Sequence, residues 1–366
     1  MSTPTPNPSV MKINAYQGGK SMTGGTKTVV KLSSNECSFG PSPRAMKAYR
    51  KASDQLFRYP DGGAEPLKAA IAGHYGLNPE HIVCGAGSDE LIALLCQAYI
   101  SPGDEVIYSA HGFLMYKIST LAAGGVPVVA PETDLTANVD ALLSAVTPHT
   151  RMVFLANPNN PTGTYLPGGE VRRLREGLRE DILLILDAAY AEFVRRNDYE
   201  AGIELVSSHQ NVVMTRTFSK LYGLAGLRLG WAYCPAAVAD VLNRVRGPFN
   251  VNLPAQIAGA AALEDTNWTA SIAEQTINER EKLRGGLEAL GLIVTPSEGN
   301  FLLIHFPDLD GKRAVDADAA LLADGVILRR MEAYGLSGAL RCSIGTTEEN
   351  ARALAAITRF METGNG

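Results

Sequence analysis

The sequence predicts an α/β protein whose main sheet is mostly parallel and covered by helices on both faces. Short, wholly apolar runs such as Ile182–Leu186 alternate with stretches of helical periodicity, which is the pattern of strands buried on both faces. Polar or charged residues directly follow several of these runs, and ligands of such sheets collect at the carboxyl ends of the strands. After Trp231 the alternation gives way to long helices and a few short strands, which predicts a smaller α+β unit.

The first half of the chain alternates helices with short strands after an extended arm, which is predicted at residues 1–34. Each helix is assigned from apolar residues at 3.6-residue spacing, and each strand from a short apolar run. Helices are predicted at Arg44–Ala52, Glu65–Tyr75, Leu91–Ile100, Phe113–Ala123, Val139–Val146 and Glu170–Leu178. Strands are predicted at His81–Cys84, Glu105–Tyr108, Val126–Ala130, Arg151–Ala156 and Ile182–Leu186. Ser88 or Asp89 suits the N-cap of the third helix.

The second half begins with two further strands, Val212–Met214 and Leu229–Tyr233, on either side of a glycine-rich loop. Later helices are predicted at Ala236–Arg246, Leu253–Leu263, Trp268–Leu290, Asp316–Ala323 and Glu348–Met361, and later strands at Asn300–Phe306, Val326–Leu328 and Ala339–Ile344. The long, charge-decorated third helix of this half is predicted to connect two domains. The large domain is predicted at residues 55–260, and the small domain combines residues 35–54 with 261–366.

Composition is typical of a globular protein with ordinary surface charge. Of the 366 residues, 46% are hydrophobic and 19% are charged, and the net charge of -5 gives no sign of nucleic-acid binding. The five cysteines lack CxxC spacing, which disfavours a zinc site or a disulfide framework and predicts a cytoplasmic location. The Pro/Ser/Thr-rich N-terminus lacks the apolar segment of a signal peptide, and no apolar run reaches the ~20 residues of a membrane helix.

Lys220 stands on a glycine-rich loop between two apolar runs, which is an unusual place for a solubilising charge. Two hydroxyl residues, Thr217 and Ser219, precede it, and Arg228 follows eight residues later. Hydroxyls and a guanidinium together are typical of a site for an oxyanion such as phosphate. An amine beside a bound phosphate is what pyridoxal 5'-phosphate (PLP) needs to form a Schiff base. The pattern therefore predicts that Lys220 is that lysine, although a lysine taken alone is far more often a surface cation.

Polar residues after other strands predict the rest of the cofactor site. Asp187 ends a buried run and is the candidate carboxylate that keeps the PLP ring nitrogen protonated. Tyr190 and Asn160 are candidates for hydrogen bonds to the phenolic oxygen of the cofactor, and Phe113 is a candidate for stacking over its ring. Taken singly, each of these residues also has a structural interpretation, as a turn cap, a turn residue or a core aromatic.

The sequence GAGSDE at 85–90 joins a strand to a helix and predicts a second part of the phosphate site. Gly87, Ser88 and Asp89 would place backbone N–H groups and the helix dipole at the anion. The segment has neither the lysine of a Walker loop nor GxGxxG spacing, and a plain tight turn explains it equally well. Once substrate displaces it, Lys220 would act as the general base that moves a proton between the substrate α-carbon and the cofactor.

Three motifs stand in order along the chain: NPNNPTG at 157–163, DAAY at 187–190, and TFSK with RLG starting eight residues after its lysine at 217–230. Together they resemble the class I and II aminotransferases of PLP fold type I. The resemblance implies a large domain with a mostly parallel seven-stranded sheet between helices, plus a smaller α+β domain. Four further segments are similar to the histidinol-phosphate aminotransferase family: LSSNE at 32–36, RYPDGG at 58–63, GAGSDELI at 85–92 and RRMEAYGLSGALRCSIGT at 329–346.

The resemblance implies a homodimer with shared active sites that acts in histidine biosynthesis. The implied reaction interconverts L-histidinol phosphate plus 2-oxoglutarate and 3-(imidazol-4-yl)-2-oxopropyl phosphate plus L-glutamate. Tyr59 would reach the cofactor phosphate of the neighbouring subunit. Arg341 would bind the carboxylate of glutamate and the phosphate of histidinol phosphate in turn, since a bidentate guanidinium serves either anion. Arg329 and Tyr16 would help to hold that phosphate, and Tyr59 and Asn160 complete the predicted substrate-binding set.

Two departures from the family pattern leave other reactions open. Cys37-Ser38 stands where Asn-Pro is usual, and Ala333 replaces a common glycine. An aromatic amino-acid or prephenate aminotransferase shares the same motifs, because an imidazole pocket can admit a phenyl ring. A PLP decarboxylase or lyase of the same fold is a second alternative. A non-enzymatic regulator is a third, but such proteins usually carry a DNA-binding segment, and the sequence shows none.

Overall fold

The structure, a computed structural model, describes residues 4–16, 18–22 and 29–362. The helices are α1 Pro43–Ala52, α2 Glu65–Tyr75, α3 Ser88–Tyr99, α4 Leu114–Ala122, α5 Val139–Ser144, α6 Gly168–Gly177, α7 Ile203–Ser208, α8 Ala236–Val245, α9 Leu253–Leu263, α10 Thr266–Ala289, α11 Ala314–Ala323 and α12 Thr347–Glu362. The strands are β1 Val30–Lys31, β2 Ile82–Gly85, β3 Glu105–Ser109, β4 Val126–Ala130, β5 Glu132–Thr133, β6 Thr136–Ala137, β7 Thr150–Ala156, β8 Leu183–Asp187, β9 Val212–Thr217, β10 Gly230–Tyr233, β11 Ile293–Thr295, β12 Phe301–His305, β13 Val326–Ile327, β14 Arg329–Arg330 and β15 Ala339–Ser343. None of the described helices has both the length and the apolar character that crossing a membrane requires.

Seven strands form the larger sheet, in the order β2-β10-β9-β8-β7-β3-β4. β10 runs antiparallel to both of its neighbours, whereas the pairs from β9 to β4 are parallel. Parallel strands are buried on both faces and need crossover connections, which explains why apolar runs alternate with helices in this part of the sequence. The predicted α/β class, with a mostly parallel seven-stranded sheet, is confirmed.

Helices cover both faces of this sheet, and side-chain alternation divides the strand residues between two cores. Leu184 and Met214 pack on one face together with residues of α2, α6 and α9. Ile185 and Val213, their neighbours in the same strands, pack on the other face with residues of α3, α4 and α8. Because successive residues of a strand point to opposite faces, the same alternation decides which side chains near the strand ends share a side.

The smaller sheet is antiparallel, in the order β11-β12-β15-β14, and its core includes residues of α10, α11 and α12. Beside it, β1 pairs in parallel with β13, so that Val30 and Leu32 enter this core from the predicted arm. The register of β14 and β15 places Arg329 opposite Arg341. This pairing brings two guanidinium groups to one part of the small sheet.

Several short elements are not apparent from the sequence pattern: helix α7 and strands β1, β5, β6, β11 and β14. The strands among them span two or three residues and the helix six, so none shows a full hydrophobic period. The run Val126–Ala130 does form a strand, β4, but it lies at the edge of the sheet with Val126 45% and Val129 53% exposed. The expectation that this run is buried on both faces is therefore wrong.

The start of α3 differs from the sequence prediction, because Gly87 takes the N-cap position and Ser88 is the first helical residue. Gly87 has φ 88°, in the left-handed region that favours glycine. A Cβ at this position would lie 2.3 Å from Nη2 of Arg228. The close approach of the arginine to the helix start therefore explains the glycine, and the predicted N-cap at Ser88 or Asp89 is wrong.

Helix α1 packs against α9, and its Ala45 lies in a core of the larger unit. These contacts do not match the predicted grouping of residues 35–54 with the small domain, to which β1 is attached instead. The sequence of an amphipathic helix shows that one of its faces is apolar, but it does not specify which part of the protein that face packs against. The remaining boundaries stay predictions. Parts of the predicted arm (1–3, 17 and 23–28) and the last residues of the predicted small domain (363–366) lie outside the described residues.

Candidate active site

A cavity of about 250 Å³ opens where the carboxyl ends of the larger sheet face the smaller sheet. The loops after β2, β7, β8 and β9 contribute to it, as is typical of ligand sites in parallel sheets. The predicted site residues that line it are Tyr16, Ser88, Asp89, Phe113, Asn160, Asp187, Tyr190, Thr217, Ser219, Lys220, Arg228, Arg329 and Arg341. Gly87 lies beside the cavity under the Arg228 side chain, whereas Tyr59 does not line it.

Asp187 is the last residue of β8 and is 6% exposed. Its Oδ2 accepts a hydrogen bond of 2.8 Å from the Tyr116 hydroxyl, and its Oδ1 accepts one of 3.2 Å from the Ala189 amide. Burial raises the pKa of this carboxyl to about 6, against the lowering effect of the Tyr116 hydrogen bond. Tyr116 is itself held by stacking on Phe154, with ring centroids 4.5 Å apart. The carboxylate is therefore fixed in position, and at neutral pH most of it is ionised.

Lys220 follows β9 by three residues, and its Nζ donates to the Ser34 carbonyl at 3.4 Å. The same nitrogen lies 5.7 Å from the centroid of the Tyr190 ring. Burial, with the nearby charge of Arg341, lowers the pKa of Lys220 to about 8. A substantial fraction of this amine is therefore neutral near pH 8, which is the form that attacks a carbonyl or accepts a proton.

An anion cradle lies between the start of α3 and the loop after β9. Arg228 donates from Nη1 to the Ser219 hydroxyl at 3.2 Å and from Nη2 to Oδ2 of Asp89 at 3.1 Å. The Thr217 hydroxyl accepts a bond of 3.1 Å from the Ser219 amide and so fixes the turn. Arg228 has φ 54°, an uncommon conformation for a residue with a side chain, which persists where the surroundings impose it. The cradle combines a guanidinium, a hydroxyl and a helix N-terminus, which together suit a phosphate.

Tyr190 is 4% exposed, and its hydroxyl accepts a hydrogen bond of 3.0 Å from Nδ2 of Asn35. Burial raises the pKa of Tyr190, so the phenol stays protonated and retains a proton to donate. Ser343 holds Asn35 in turn, because the Ser343 hydroxyl accepts a hydrogen bond of 2.7 Å from the backbone N–H of Asn35. This chain of contacts connects the end of β8 with the smaller sheet.

Arg341 is 6% exposed and extends from β15 into the pocket. It donates from Nη1 to Oδ1 of Asn160 and from Nη2 to the Ser33 carbonyl at 3.1 Å. Its buried Nε has no hydrogen-bond partner among residues 4–16, 18–22 and 29–362. Burial lowers the pKa of this guanidinium, which still remains charged. Next to it, Arg329 lies with its guanidinium carbon 5.9 Å from the ring centroid of Tyr16.

The chain matches known aminotransferases over most of its length. The model of the class I and II aminotransferases matches residues 27–357. The chain belongs to this family. It is 58% identical over 361 residues to the histidinol-phosphate aminotransferase of Paramagnetospirillum magneticum and 53% identical over 362 residues to that of Rhodopseudomonas palustris strain HaA2. Each of these matches covers 99% of both chains.

A solved structure agrees with this assignment to the aminotransferases. Histidinol-phosphate aminotransferase from Sinorhizobium meliloti in complex with pyridoxal-5'-phosphate superimposes with a TM-score of 0.86 and 30% sequence identity. The match covers 92% of each chain. The resemblance inferred from the sequence motifs is thereby confirmed, and so is the predicted fold.

Two residues that sequence reasoning missed hold predicted residues of the aminotransferase pocket in place. Tyr116 holds Asp187, but in the sequence it is one more apolar position of a predicted helix, and its spacing carries no signal. Asn35 holds Tyr190 and lies in the LSSNE segment that supports the resemblance, so a signal was present there. Its φ of 53° belongs to the left-handed region that asparagine tolerates better than most residues.

Tyr59 is placed outside the aminotransferase pocket of its own chain. It is 81% exposed, and its ring stacks on that of Phe249 with centroids 4.6 Å apart. Phe249 is itself 45% exposed, so the two rings form an apolar surface. The predicted role of Tyr59 in a neighbouring subunit stays a prediction, as do the roles assigned to the residues in the pocket.

Proposed function

We propose that this chain is a PLP-dependent aminotransferase that passes an amino group between L-histidinol phosphate and 2-oxoglutarate in the cytoplasm. The observation that carries the proposal is that Lys220, with its lowered pKa, shares one pocket with the buried Asp187 and the Arg228 cradle. Identities of 58% and 53% over the full length to relatives named for this reaction support the choice of substrate. The five cysteines are all free, which supports a reducing compartment.

The pocket residues fit each polar group of PLP. Ser219, Arg228 and the start of α3 would hold the phosphate, with the left-handed Gly87 leaving room for the Arg228 side chain. Asp187 would face the ring nitrogen as a carboxylate. Tyr190 and Asn160 would flank the phenolic oxygen. When bound, PLP supplies an electron sink for the negative charge left on the substrate α-carbon, and the protein supplies position and charge.

The chemistry of this chain's own residues centres on one proton at Lys220 Nζ. Because the pKa of the amine is lowered to about 8, a substantial fraction of Lys220 is neutral at mildly alkaline pH. The neutral Nζ can accept a proton from the substrate α-carbon directly. Asp187, held by Tyr116 and the Ala189 backbone N–H, would supply a negative charge to the ring nitrogen. Fixed groups of this kind need no rearrangement when charge develops during the reaction.

Arg341 would bind the anionic group that both substrates carry. Its Nη1 and Nη2 donate to two neutral acceptors, Oδ1 of Asn160 and the Ser33 carbonyl. A charged carboxylate or phosphate oxygen would compete with these acceptors for the same guanidinium, so that one residue would serve two substrates. Arg329 and Tyr16 would add contacts to the phosphate of histidinol phosphate.

The proposed assembly is a homodimer with shared active sites. Tyr59 and Phe249 expose a stacked pair of rings, and such an apolar surface suits contact with a second chain. In that arrangement Tyr59 would reach the phosphate end of the partner's pocket. Sedimentation equilibrium of the purified protein, with and without PLP, would test this part of the proposal.

A substrate panel tests the proposed reaction. Purified protein loaded with PLP is assayed with 2-oxoglutarate and either L-histidinol phosphate or L-phenylalanine, and glutamate is measured. We expect kcat/KM to be higher for histidinol phosphate, with one glutamate formed per substrate consumed. Equal or better turnover of phenylalanine would favour an aromatic aminotransferase. Consumption of amino substrate without stoichiometric glutamate would favour a decarboxylase or lyase.

A further inference from the structure

An ion pair lies buried behind the pocket. Arg216, the next-to-last residue of β9, donates from Nη1 to Oε1 of Glu192 at 3.1 Å, and the two side chains are 8% and 12% exposed. Arg216 alternates with Thr215 and Thr217, so it lies on the opposite face of β9 from the Thr217 hydroxyl of the pocket. The pair therefore does not belong to the pocket lining.

The Arg216–Glu192 pair joins the segment that follows β8 to the end of β9, just beyond the last backbone pairing between these two strands. The register of β8 and β9 ends at Asp187 and Thr215, and the last backbone hydrogen bond runs from the Ala188 amide to the Thr215 carbonyl at 2.9 Å. The segment after β8 then leaves the sheet toward Tyr190, whereas β9 continues beside β10 as far as Thr217, three residues before Lys220. Glu192 lies in the short 3-10 turn Ala191–Phe193, in the segment that follows β8. Arg216 lies near the end of β9, four residues before Lys220.

Two tyrosines, Tyr75 and Tyr222, connect Arg216 with the segment that follows Lys220. The guanidinium carbon of Arg216 lies 4.8 Å from the ring centroid of Tyr75 in α2. The Tyr75 hydroxyl lies 2.9 Å from the hydroxyl of Tyr222, which follows Lys220 by two residues. Lys220 is thus bracketed, with Arg216 before it and Tyr222 after it, and both are anchored on the side away from the pocket.

We propose that Arg216 and Glu192 are positioning residues, which set the distance between the lysine segment and the segment that carries Asp187 and Tyr190. The inference rests on the proposed function, because those three residues are its reacting and cofactor-contacting groups. In a buried environment an ion pair is both strong and geometrically demanding, since either charge left without its partner is costly. A displacement of about 1 Å at reacting groups lowers rates by as much as about 10²-fold.

The test is a pair of matched substitutions. Glu192→Asp keeps both charges but withdraws the carboxylate by one methylene group. Glu279→Asp is the control, because Glu279 is likewise buried and holds Asn350 and Thr347, but in the region packed around the smaller sheet. For each variant we would measure the thermal midpoint, the dissociation constant for PLP, the pH midpoint of the absorbance of bound PLP, and kcat with KM separately.

We expect both variants to lose thermal stability, but only Glu192→Asp to raise the PLP dissociation constant about tenfold and to lower kcat by up to about 10²-fold. In Glu192→Asp the pH midpoint of the absorbance of bound PLP should also move away from the wild-type value. Arg216→Lys should change the PLP dissociation constant, kcat and this pH midpoint in the same way. A Glu192→Asp enzyme with a lower thermal midpoint but wild-type PLP affinity, pH midpoint and kcat would overturn the inference. Failure of Glu192→Asp and Arg216→Lys to fold would assign the pair a structural role and overturn it too. If the wild-type chain itself binds no PLP, the proposed function fails first.

Discussion

On the larger-sheet side of the pocket the polar groups follow the strand ends, whereas on the smaller-sheet side they stand within strands. Asp187 closes β8 and Lys220 lies three residues past β9, in a loop that also holds Arg228 at φ 54°. Arg341 and Arg329 instead face each other across β15 and β14, and ordinary strand geometry aims them. The first arrangement fixes individual atoms, and the second places a block of positive charge.

The difference in construction matches a difference in the proposed tasks. The larger-sheet side holds both a carboxylate and an amine with shifted pKa values, as proton transfer on a cofactor requires. The smaller-sheet side presents guanidinium groups, which suit recognition of an anion. Changes on the first side should abolish chemistry, and changes on the second should weaken substrate binding while leaving the cofactor in place. The following predictions test that division, from the largest expected effect to the smallest.

Lys220→Ala should remove the absorbance band of PLP joined to the enzyme. It should also lower kcat by about 10⁴-fold or more, the upper end of what a positioned acid–base group contributes. The fold should persist, because the side chain makes one long bond to the Ser34 carbonyl. Absorbance spectra, single-turnover kinetics and circular dichroism check these points. Retention of both the band and turnover would break the assignment of the larger-sheet side.

Arg341→Ala should weaken binding of both amino substrates by about 2–5 kcal/mol, because a desolvated anion loses its charged partner. The PLP absorbance band should stay, since the substitution lies on the other side of the pocket. Separate KM values for glutamate and histidinol phosphate measure the effect. Arg341→Lys, which keeps the charge but not the fork of donors, should give a smaller loss. A loss confined to one substrate would contradict the shared role of this arginine.

Asp187→Asn should make the PLP-free protein more stable at neutral pH. Burial raises the pKa of Asp187 from 3.8 to about 6, so the folded chain holds a proton that the unfolded chain has released within that window. The stability of the wild type therefore falls as pH rises from about 4 to 6, and the neutral amide avoids this loss. A shift of this size corresponds to about 2–3 kcal/mol.

Denaturant unfolding of the two PLP-free proteins at pH 4 and pH 7.5 gives the comparison. The advantage of Asp187→Asn should be present at pH 7.5 and nearly vanish at pH 4. An equal difference at both pH values would show that the carboxyl does not titrate as described. Activity should be lost at either pH, because the amide cannot hold the ring nitrogen protonated.

Arg329→Ala should have the smallest effect, a rise in KM for histidinol phosphate corresponding to about 1 kcal/mol or less, because half-exposed charges are well screened. KM for glutamate should change less, since glutamate carries no phosphate. Arg330→Ala is the matched control, because Arg330 is the next residue of β14 and pairs with Glu332. Similar effects of the two substitutions would show a general charge effect instead of a contact.

The same contrast explains how much of the site could be predicted from the sequence. Groups that follow apolar runs stand out, so Asp187 and Lys220 are visible from pattern alone. Arg329 and Arg341 look like ordinary strand residues, and only the resemblance to a family singles them out. Tyr116 contacts Asp187, and the Arg216–Glu192 pair lies outside the pocket lining. Neither periodicity nor spacing in the sequence reveals such contacts.

The fold shows a similar limit. Long periodic segments such as α9 and α10 were predictable to within a residue or two, because their burial repeats over several turns. Helix α7 and strand β14 are too short to carry a period. The surface on which α1 packs depends on tertiary contacts that its own amphipathic pattern does not specify.

The chain contains two tryptophans, and they lie in different hydrophobic clusters. Trp231 is 1% exposed in a core of the larger sheet, whereas Trp268 on α10 packs against a cluster that includes Tyr190 of the larger-sheet side and Phe301 of the smaller sheet. Replacing either indole with phenylalanine leaves a protein whose tryptophan fluorescence comes from a single place. The molecule thus carries its own pair of optical reporters, and emission recorded during denaturation can tell whether the core of the larger sheet and the cluster between the two sheets come apart together or one after the other.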